Sequence, residues 1–428
     1  MRGLLADLRF RGLVQQVSDA GLADTLDGET VTAYAGFDPS ADSLHVGHLI
    51  GVFYLRRLQQ AGHRPIALAG GGTGMIGDPS GKSEERQLLS ADTLEANMTG
   101  IRAQLGRFLD FTPAAGAAQA VLVDNSEWLG ELRLLEFLRD VGKHFGVGQM
   151  IAKETVRARL ATPEQGMSFT EFSYMLLQAY DFLRLSDDYG CRLQLGGSDQ
   201  WGNITMGIDL IRRLRGEEAW GLTWPLLVRP DGTKFGKTAS GNVWLDERRT
   251  SAYQLFQFFL RTEDSVVGTY LRYYTWLDHE RLEELDTAVA TRPEARESQR
   301  TLAREVTRLV HGAEAAAKAE RAAAALFSEE IAGLDERTLV DVLADAPSST
   351  WSRDRLADGG LSLVEAMVET GLAPSRSAAR TTIEQGGAYV NNHRELDRGR
   401  QLGPADLLRD RYLLLRRGRR DQHLVRFG

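Results

Sequence analysis

The chain has 428 residues, which at about 150 residues per domain makes two or three domains. Hydrophobic residues make up 43% and charged residues 26%, and no apolar run approaches the ~18 residues needed to span a bilayer, so a transmembrane chain is excluded. The formal net charge is −8, and the one cysteine, Cys191, excludes an intrachain disulfide and a multi-cysteine metal site.

Charges at Arg2, Asp7 and Arg9 interrupt the opening stretch where a signal peptide needs an apolar core. No export leader is expected, and a reducing cytoplasm is the expected home. Residues 31–37 read as a buried strand, broken by Asp38-Pro39-Ser40. A helix is expected over 44–61, with apolar residues at Val46, Leu49, Ile50, Phe53 and Leu58. A second strand follows over 66–70, and this strand–helix–strand order is a parallel βαβ unit. A polar, glycine-containing loop covers 71–83. Residues 120–124 read as a strand, 169–185 as a helix, and 193–195 as a short strand leading into Gly196-Gly197-Ser198-Asp199. The chain to about residue 220 is therefore expected to be one α/β domain. From Trp224 to about Ala344 the pattern is mainly helical, and the Ser/Pro/Asp/Gly-rich stretch 346–360 reads as a linker. Residues 361–428 hold twelve arginines against eight acidic residues, a basic tail on an acidic body that points to an anionic partner.

Gly72, Gly74 and Gly77 match the dinucleotide fingerprint in form, but Asp78-Pro79-Ser80-Gly81 stands where its helix should open. The string Gly77 to Ser83 ends like a phosphate loop but is one spacer residue short. The string from Gly36 to His48 is more informative. His45 and His48 are expected on one face of a first helical turn, where the helix N-terminus favours phosphate. Gly47 lets a flat base or ribose approach the backbone. Lys234-Phe235-Gly236-Lys237-Thr238 places two ammonium groups and a hydroxyl on a glycine-flexible loop, as a triphosphate clamp requires. Only six lysines occur in the chain, and Lys82, Lys234 and Lys237 all lie in such loops. Tyr174, Gln178 and Asp181 form one polar stripe on the helix 169–185.

The His45-Val46-Gly47-His48 and Lys234–Thr238 strings resemble the two signature motifs of the class I aminoacyl-tRNA synthetases. The surrounding wording is similar to the bacterial tyrosyl-tRNA synthetases: Tyr34 to Pro39, Gly77 to Lys82, and Gly196 to Asn203. The tail, around Ala373–Arg380 and Ile383–Asn391, resembles an S-four-like RNA-binding domain. The resemblance implies an α/β fold with a Rossmann-type parallel-sheet catalytic domain over 1–222 that includes a dimer interface. A mainly helical domain over 223–345, a linker over 346–360 and a small α+β RNA-binding domain over 361–428 would follow.

It also implies the reaction: tyrosine and ATP give tyrosyl-adenylate and pyrophosphate, and tyrosine then passes to the terminal adenosine of its tRNA. The tyrosine carboxylate is already a nucleophile, so the step needs positioning and charge stabilisation on the phosphates. By matching position, Ser40, His45 and His48 would serve the phosphates and ribose. Lys82, Arg86, Lys234, Lys237 and Thr238 would meet pyrophosphate. Asp38, Gly47, Gly197 and Asp199 would hold the adenylate and ribose, with Mg2+ arriving on the ATP. Tyr34 and Asp181 would bond the phenolic hydroxyl. Asp78, Tyr174 and Gln178 would surround the α-ammonium, and Gln200 would lie near the carboxylate. Arg376, Arg380 and Arg394 would face tRNA, with charge added by Arg416, Arg417, Arg419 and Arg420. A homodimer is expected from the resemblance alone. Three other readings are weaker. Asp181 disfavours a tryptophan-specific relative. A nucleotidyltransferase sharing the histidine motif does not explain the tail. A silent RNA-binding scaffold is expected to have lost the motif lysines and His45, which are all present.

Overall fold

Parallel strands are covered on both faces and so read as nearly continuous apolar runs. The runs noted above become such strands in the computed structural model. It describes residues 3–80, 89–161, 166–227, 235–238, 241–325, 328–344, 346–357, 359–418 and 421–428, with the main chain alone at 91, 237 and 238. These residues form two compact units, Met1–Thr250 with Thr262–Ser298, and Ser251–Arg261 with Gln299–Gly428.

The first unit is built on six strands: β1 (Gln16–Val17), β2 (Thr32–Phe37), β3 (Arg64–Ala69), β4 (Val121–Asp124), β5 (Cys191–Gly197) and β6 (Trp220–Trp224). Their spatial order is β1-β6-β5-β2-β3-β4. Every pairing from β6 to β4 is parallel, and β1 closes one edge antiparallel. The chain leaves β2 toward β3 and β4, then returns to β5 on the other side. The boundary between β2 and β5 is thus a topological switch point, and ligands bind beyond the carboxyl ends of strands at such points.

The helix expected over 44–61 starts later, at Leu49, and runs to Gln60. The reason is tertiary. Residues 44–46 pair with 243–245 instead: the Val46 N–H donates to the Val243 carbonyl at 2.9 Å and the Leu245 N–H to that of Leu44 at 2.8 Å. His45 faces Trp244 in an antiparallel bridge. The pairing follows a two-strand ribbon, β7 (Lys237–Thr238) with β8 (Gly241–Asn242). The helix Phe169–Tyr189 is longer than expected. Ser168 and Glu171 cap it reciprocally, and Gly190 in the left-handed conformation ends it. Glu171 is buried and ion-paired with Arg159 at 3.0 Å. Strand β5 continues past residue 195 to Gly197, carrying the site glycines inside the sheet.

The second unit contains the helices Ala252–Leu260, Ala313–Ala325 and Glu336–Val342. Its strands are β9 (Ser348–Trp351), β10 (Leu361–Ser362), β11 (Ala388–Val390), β12 (His393–Glu395), β13 (Gln401–Leu402), β14 (Tyr412–Arg417) and β15 (Asp421–Phe427). Five of them form a sheet in the order β12-β11-β14-β15-β9, and β10 pairs with β13. The helices Leu363–Glu369 and Arg376–Glu384 share a core with it that includes Leu363, Met367, Ile383, Leu413 and Val425. One expectation is corrected here. Part of the stretch read as a linker is β9, which pairs in parallel with β15. Its Ser-Ser-Thr-Trp composition hid a strand whose partner lies some seventy residues away.

Candidate active site

The histidine string lies just before the helix Leu49–Gln60, with His48 as its N-cap. The two rings still meet, stacked with centroids 3.9 Å apart. The Gly47 N–H donates to His45 Nδ1 and the His45 N–H to His48 Nδ1, each at 3.1 Å. Both Nδ1 atoms are therefore acceptors, so in a neutral ring the proton rests on Nε2. Each ring can then present an N–H to an anion. Gly47 is needed here: a Cβ would stand 2.8 Å from the His45 ring. The pairing of residues 44–46 with 243–245 brings the main chain of Lys237 and Thr238 next to this string.

A second cluster surrounds Asp181, which is 1% exposed on the helix Phe169–Tyr189. Its two oxygens accept from Asn125 Nδ2 at 2.9 Å and Trp128 Nε1 at 2.8 Å. Asn125 follows β4 directly. Its own Oδ1 accepts from the Gly72 N–H, and its Nδ2 also donates to the Thr73 hydroxyl. Burial pushes the Asp181 carboxyl up to about 8, aided by the charge of Asp38 and opposed by the Asn125 and Trp128 bonds. Tyr34 on β2 is buried, and its ring lies 5.4 Å from that of Phe182. Burial, then the charges of Asp181 and Cys191, raise its phenol well above the usual value, so it keeps its proton. Among the described residues the Tyr34 hydroxyl has no hydrogen-bond partner.

Beyond this cluster lies a polar network. Asp38 follows β2; it accepts from the Thr73 hydroxyl at 3.0 Å and from the Tyr174 hydroxyl at 3.1 Å. Gln200 Nε2 donates to Asp78 at 2.7 Å, and Gln178 Nε2 donates to Gln200 Oε1 at 3.2 Å. Asn203 then donates to Gln178 Oε1 at 2.8 Å. The structure thus joins Asp38 with Tyr174, and separately Asp78 with Gln178 and Gln200, with Tyr174 and Gln178 one turn apart on the same helix. Gly197 ends β5, and Asp199 lies in the turn after it. Ser40 is exposed on the turn after β2. Lys82, Arg86 and Lys234 lie outside the described residues.

Asn125, Trp128, Thr73 and Asn203 were not foreseen. The only sequence signal for the first two was a polar pair, Asp124-Asn125, at the carboxyl end of a strand, with a tryptophan one turn on. In the second unit, Arg376 and Arg380 lie one turn apart on an exposed helix face, with Arg376 paired to Glu365 at 2.7 Å. Arg394 is exposed, and its guanidinium donates to the Gly386 and Gln385 carbonyls. Arg416 corrects an expectation. It is 5% exposed and bonded to Asn392 and to the Gly418 carbonyl, so it braces a turn and adds no surface charge. Arg417 pairs with Asp421, and Arg419 and Arg420 lie outside the described residues.

The Asp181 environment has a thermodynamic signature. The ordinary carboxyl value is near 3.8 and the folded one about 8, so folding holds a proton between them. Stability contributed by this group therefore falls as pH rises through that window, and its cost is complete above about 8. Ligand-free Asp181→Asn should lose less stability than the parent between pH 5 and pH 8, in urea unfolding at each pH. Identical pH slopes for the two proteins would contradict the buried placement.

Known proteins resemble this chain over its whole length. Residues 26–328 match the class I tRNA synthetases (W and Y), and residues 338–425 match the tyrosine–tRNA ligase SYY-like C-terminal domain. The tyrosine–tRNA ligase of Roseiflexus castenholzii is 54% identical over 426 residues, covering 100% of both chains. That of Geobacillus stearothermophilus is 51% identical over 427 residues, covering 99% of this chain and 100% of its own. A C-terminally truncated mitochondrial tyrosyl-tRNA synthetase of Aspergillus nidulans superposes with a TM-score of 0.66 at 31% identity, covering 75% of this chain and 93% of its own. With full-length identity above half and the Asp181 cluster on a doubly wound sheet, the chain belongs to the tyrosyl-tRNA synthetase family of class I aminoacyl-tRNA ligases.

Proposed function

We propose that this tyrosine–tRNA ligase selects its amino acid through the buried Asp181 carboxyl, and that this one observation carries the residue assignment. The Tyr34 hydroxyl donates to the substrate phenol, and the phenol donates to Asp181. Asn125 and Trp128 hold Asp181 in place, so neither oxygen can turn away. Phenylalanine would leave the Tyr34 hydroxyl without a partner and the Asp181 carboxyl with only its Asn125 and Trp128 bonds, in a site shut off from water, which is the costly outcome. Asp78, Tyr174 and Gln178 receive the α-ammonium, and Gln200 orients the carboxylate toward the α-phosphate. That carboxylate attacks, the bond to pyrophosphate breaks, and tyrosyl-adenylate results. The 3′-terminal adenosine hydroxyl of tRNA(Tyr) then takes the tyrosyl group and AMP leaves.

The phosphates are served by the Nε2–H group of His45, by Ser40, and by Lys82, Arg86, Lys234, Lys237 and Thr238, while His48 packs near the ribose or adenine. Asp38, Gly47, Gly197 and Asp199 hold the ribose and adenine. ATP brings Mg2+ as its own counter-ion, bound by phosphate oxygens and water. The exposed Arg376 and Arg380, with Arg394 nearby, approach the tRNA backbone. The cytoplasm is the proposed location, supported by bacterial relatives and by one buried, free cysteine. Leu134, Leu135, Leu138, Val147 and Phe169 are all exposed, Phe169 at 78%, and we assign these apolar side chains to an interface with a second copy of the chain.

Three measurements bear on this reading. Asp181→Ala should lower kcat/KM for tyrosine in ATP–pyrophosphate exchange by about 100-fold, and near-parental activity would sink the assignment. Joint Arg376→Glu and Arg380→Glu should leave that exchange intact. Charging of tRNA should weaken on the order of tenfold with a shallower salt dependence, and unaltered charging would remove both arginines from the interface. Phe169→Asp should shift the sedimenting species from two copies to one. A parent that sediments as one copy would contradict the dimer.

A further inference from the structure

The helix Asp264–Tyr274 belongs to the first unit and contributes no residue to the motifs above. Its last side chain touches both of them. Tyr274 is fully buried, and its hydroxyl donates to the Val46 carbonyl at 3.3 Å. Its ring stacks on that of Phe235 at 5.6 Å and 18°, and Phe235 also meets Tyr270 at 4.8 Å. Burial raises the Tyr274 phenol well above its usual value, so it stays a donor. The carbonyl of the next residue, Thr275, is held by the Arg57 guanidinium at 2.6 Å, which anchors the helix end.

The Val46–Gly47 peptide links these contacts to chemistry. A peptide unit is a rigid plane. At one edge its carbonyl accepts from Tyr274 and, at 3.3 Å, from the Leu49 N–H. At the other edge its N–H donates to His45 Nδ1. Rotation of this plane would therefore move the His45 ring and, with it, Nε2. On the other side, Phe235 precedes Gly236 and Lys237. Gly236 has φ +86°, and a Cβ there would stand 2.9 Å from Val46 Cγ2. Its carbonyl accepts from the Val243 N–H, and the Val243 carbonyl accepts from Val46. One tyrosine thus sets the plane that aims His45 and fixes the base from which Lys237 departs.

We propose that Tyr274 is a positioning residue for adenylate formation, acting on the phosphates through His45. The inference rests on the phosphate role given to His45 above. Tyr274 touches no reacting atom, and the tyrosine pocket lies on other elements. Its loss should therefore change the rate of the chemical step and leave tyrosine binding alone.

Tyr274→Phe in the full-length chain keeps the ring stack and removes only the hydroxyl. Tyrosine-dependent ATP–pyrophosphate exchange should lose about five-fold in kcat with KM for tyrosine unchanged. Tyr274→Leu, which also loses the stack, should fall further. The decisive readout is a double-mutant cycle with His45→Asn. If Tyr274 acts through His45, Tyr274→Phe has no added effect on kcat in the His45→Asn background. An equal loss in both backgrounds, or a loss tracking the folded fraction seen in urea unfolding, would overturn the proposal. Unchanged kcat for Tyr274→Phe alone would overturn it as well. Should His45→Asn itself exchange at the parental rate, the failure lies with the phosphate role of His45.

Discussion

Burying a carboxyl away from water costs several kcal/mol unless its oxygens are bonded, and Asp181 is buried. Much of the first unit is explained by how that cost is contained. Asn125 and Trp128 each give Asp181 one hydrogen bond. Asn125 is itself fixed by the Gly72 N–H and the Thr73 hydroxyl, so the turn after β3 and the end of β4 must come together. The capped helix Phe169–Tyr189 has to lie at one height over the sheet for the carboxyl to reach them. Even so, the bonds do not fully offset burial, and the carboxyl holds its proton up to about pH 8. In the proposed function a tyrosine phenol supplies the remaining partner for Asp181 and Tyr34 together, which would give specificity and the relief of a built-in cost one origin.

Parallel topology places the other groups. With the order reversing between β2 and β5, Asp38 after β2, Thr73 after β3, Asn125 after β4 and Gln200 after β5 all emerge at one edge. The groups that would meet phosphate come from segments almost two hundred residues apart. Backbone pairing of 44–46 with 243–245 joins them, and the aromatic contacts of Phe235, Tyr270 and Tyr274 fill the space beneath. The groups proposed for the amino acid and those proposed for the phosphates therefore rest on separate supports within one unit, so substitutions are expected to affect them separately.

The elements legible in the sequence were those whose signal is local. β2, β3 and β4 are short apolar runs ended by polar residues or glycine, and the helix bearing Tyr174, Gln178 and Asp181 shows its polar stripe across about two turns. The motif strings were legible because several chemical groups stand side by side in them. Elements defined by distant partners were not. The helix after β2 starts at Leu49 because residues 44–46 bond elsewhere, which no helical periodicity can show. β9 is Ser-Ser-Thr-Trp, and only its pairing with β15 makes it a strand. Asn125, Trp128 and Tyr274 are single residues in ordinary contexts, and their roles exist only in three dimensions. Arg416 looked like surface charge because it stands in an arginine run, yet β14 is buried on both faces there and the side chain bonds to Asn392.

The central claim is that a buried carboxyl paired with Tyr34 chooses the amino acid by its hydroxyl. The most direct measurement is ATP–pyrophosphate exchange by the full-length protein with tyrosine, phenylalanine and tryptophan in parallel. The account predicts exchange with tyrosine and none above background with the other two. Phenylalanine turning over with a kcat/KM near that of tyrosine would contradict it, because the unpaired Asp181 and Tyr34 would then carry no discriminating cost.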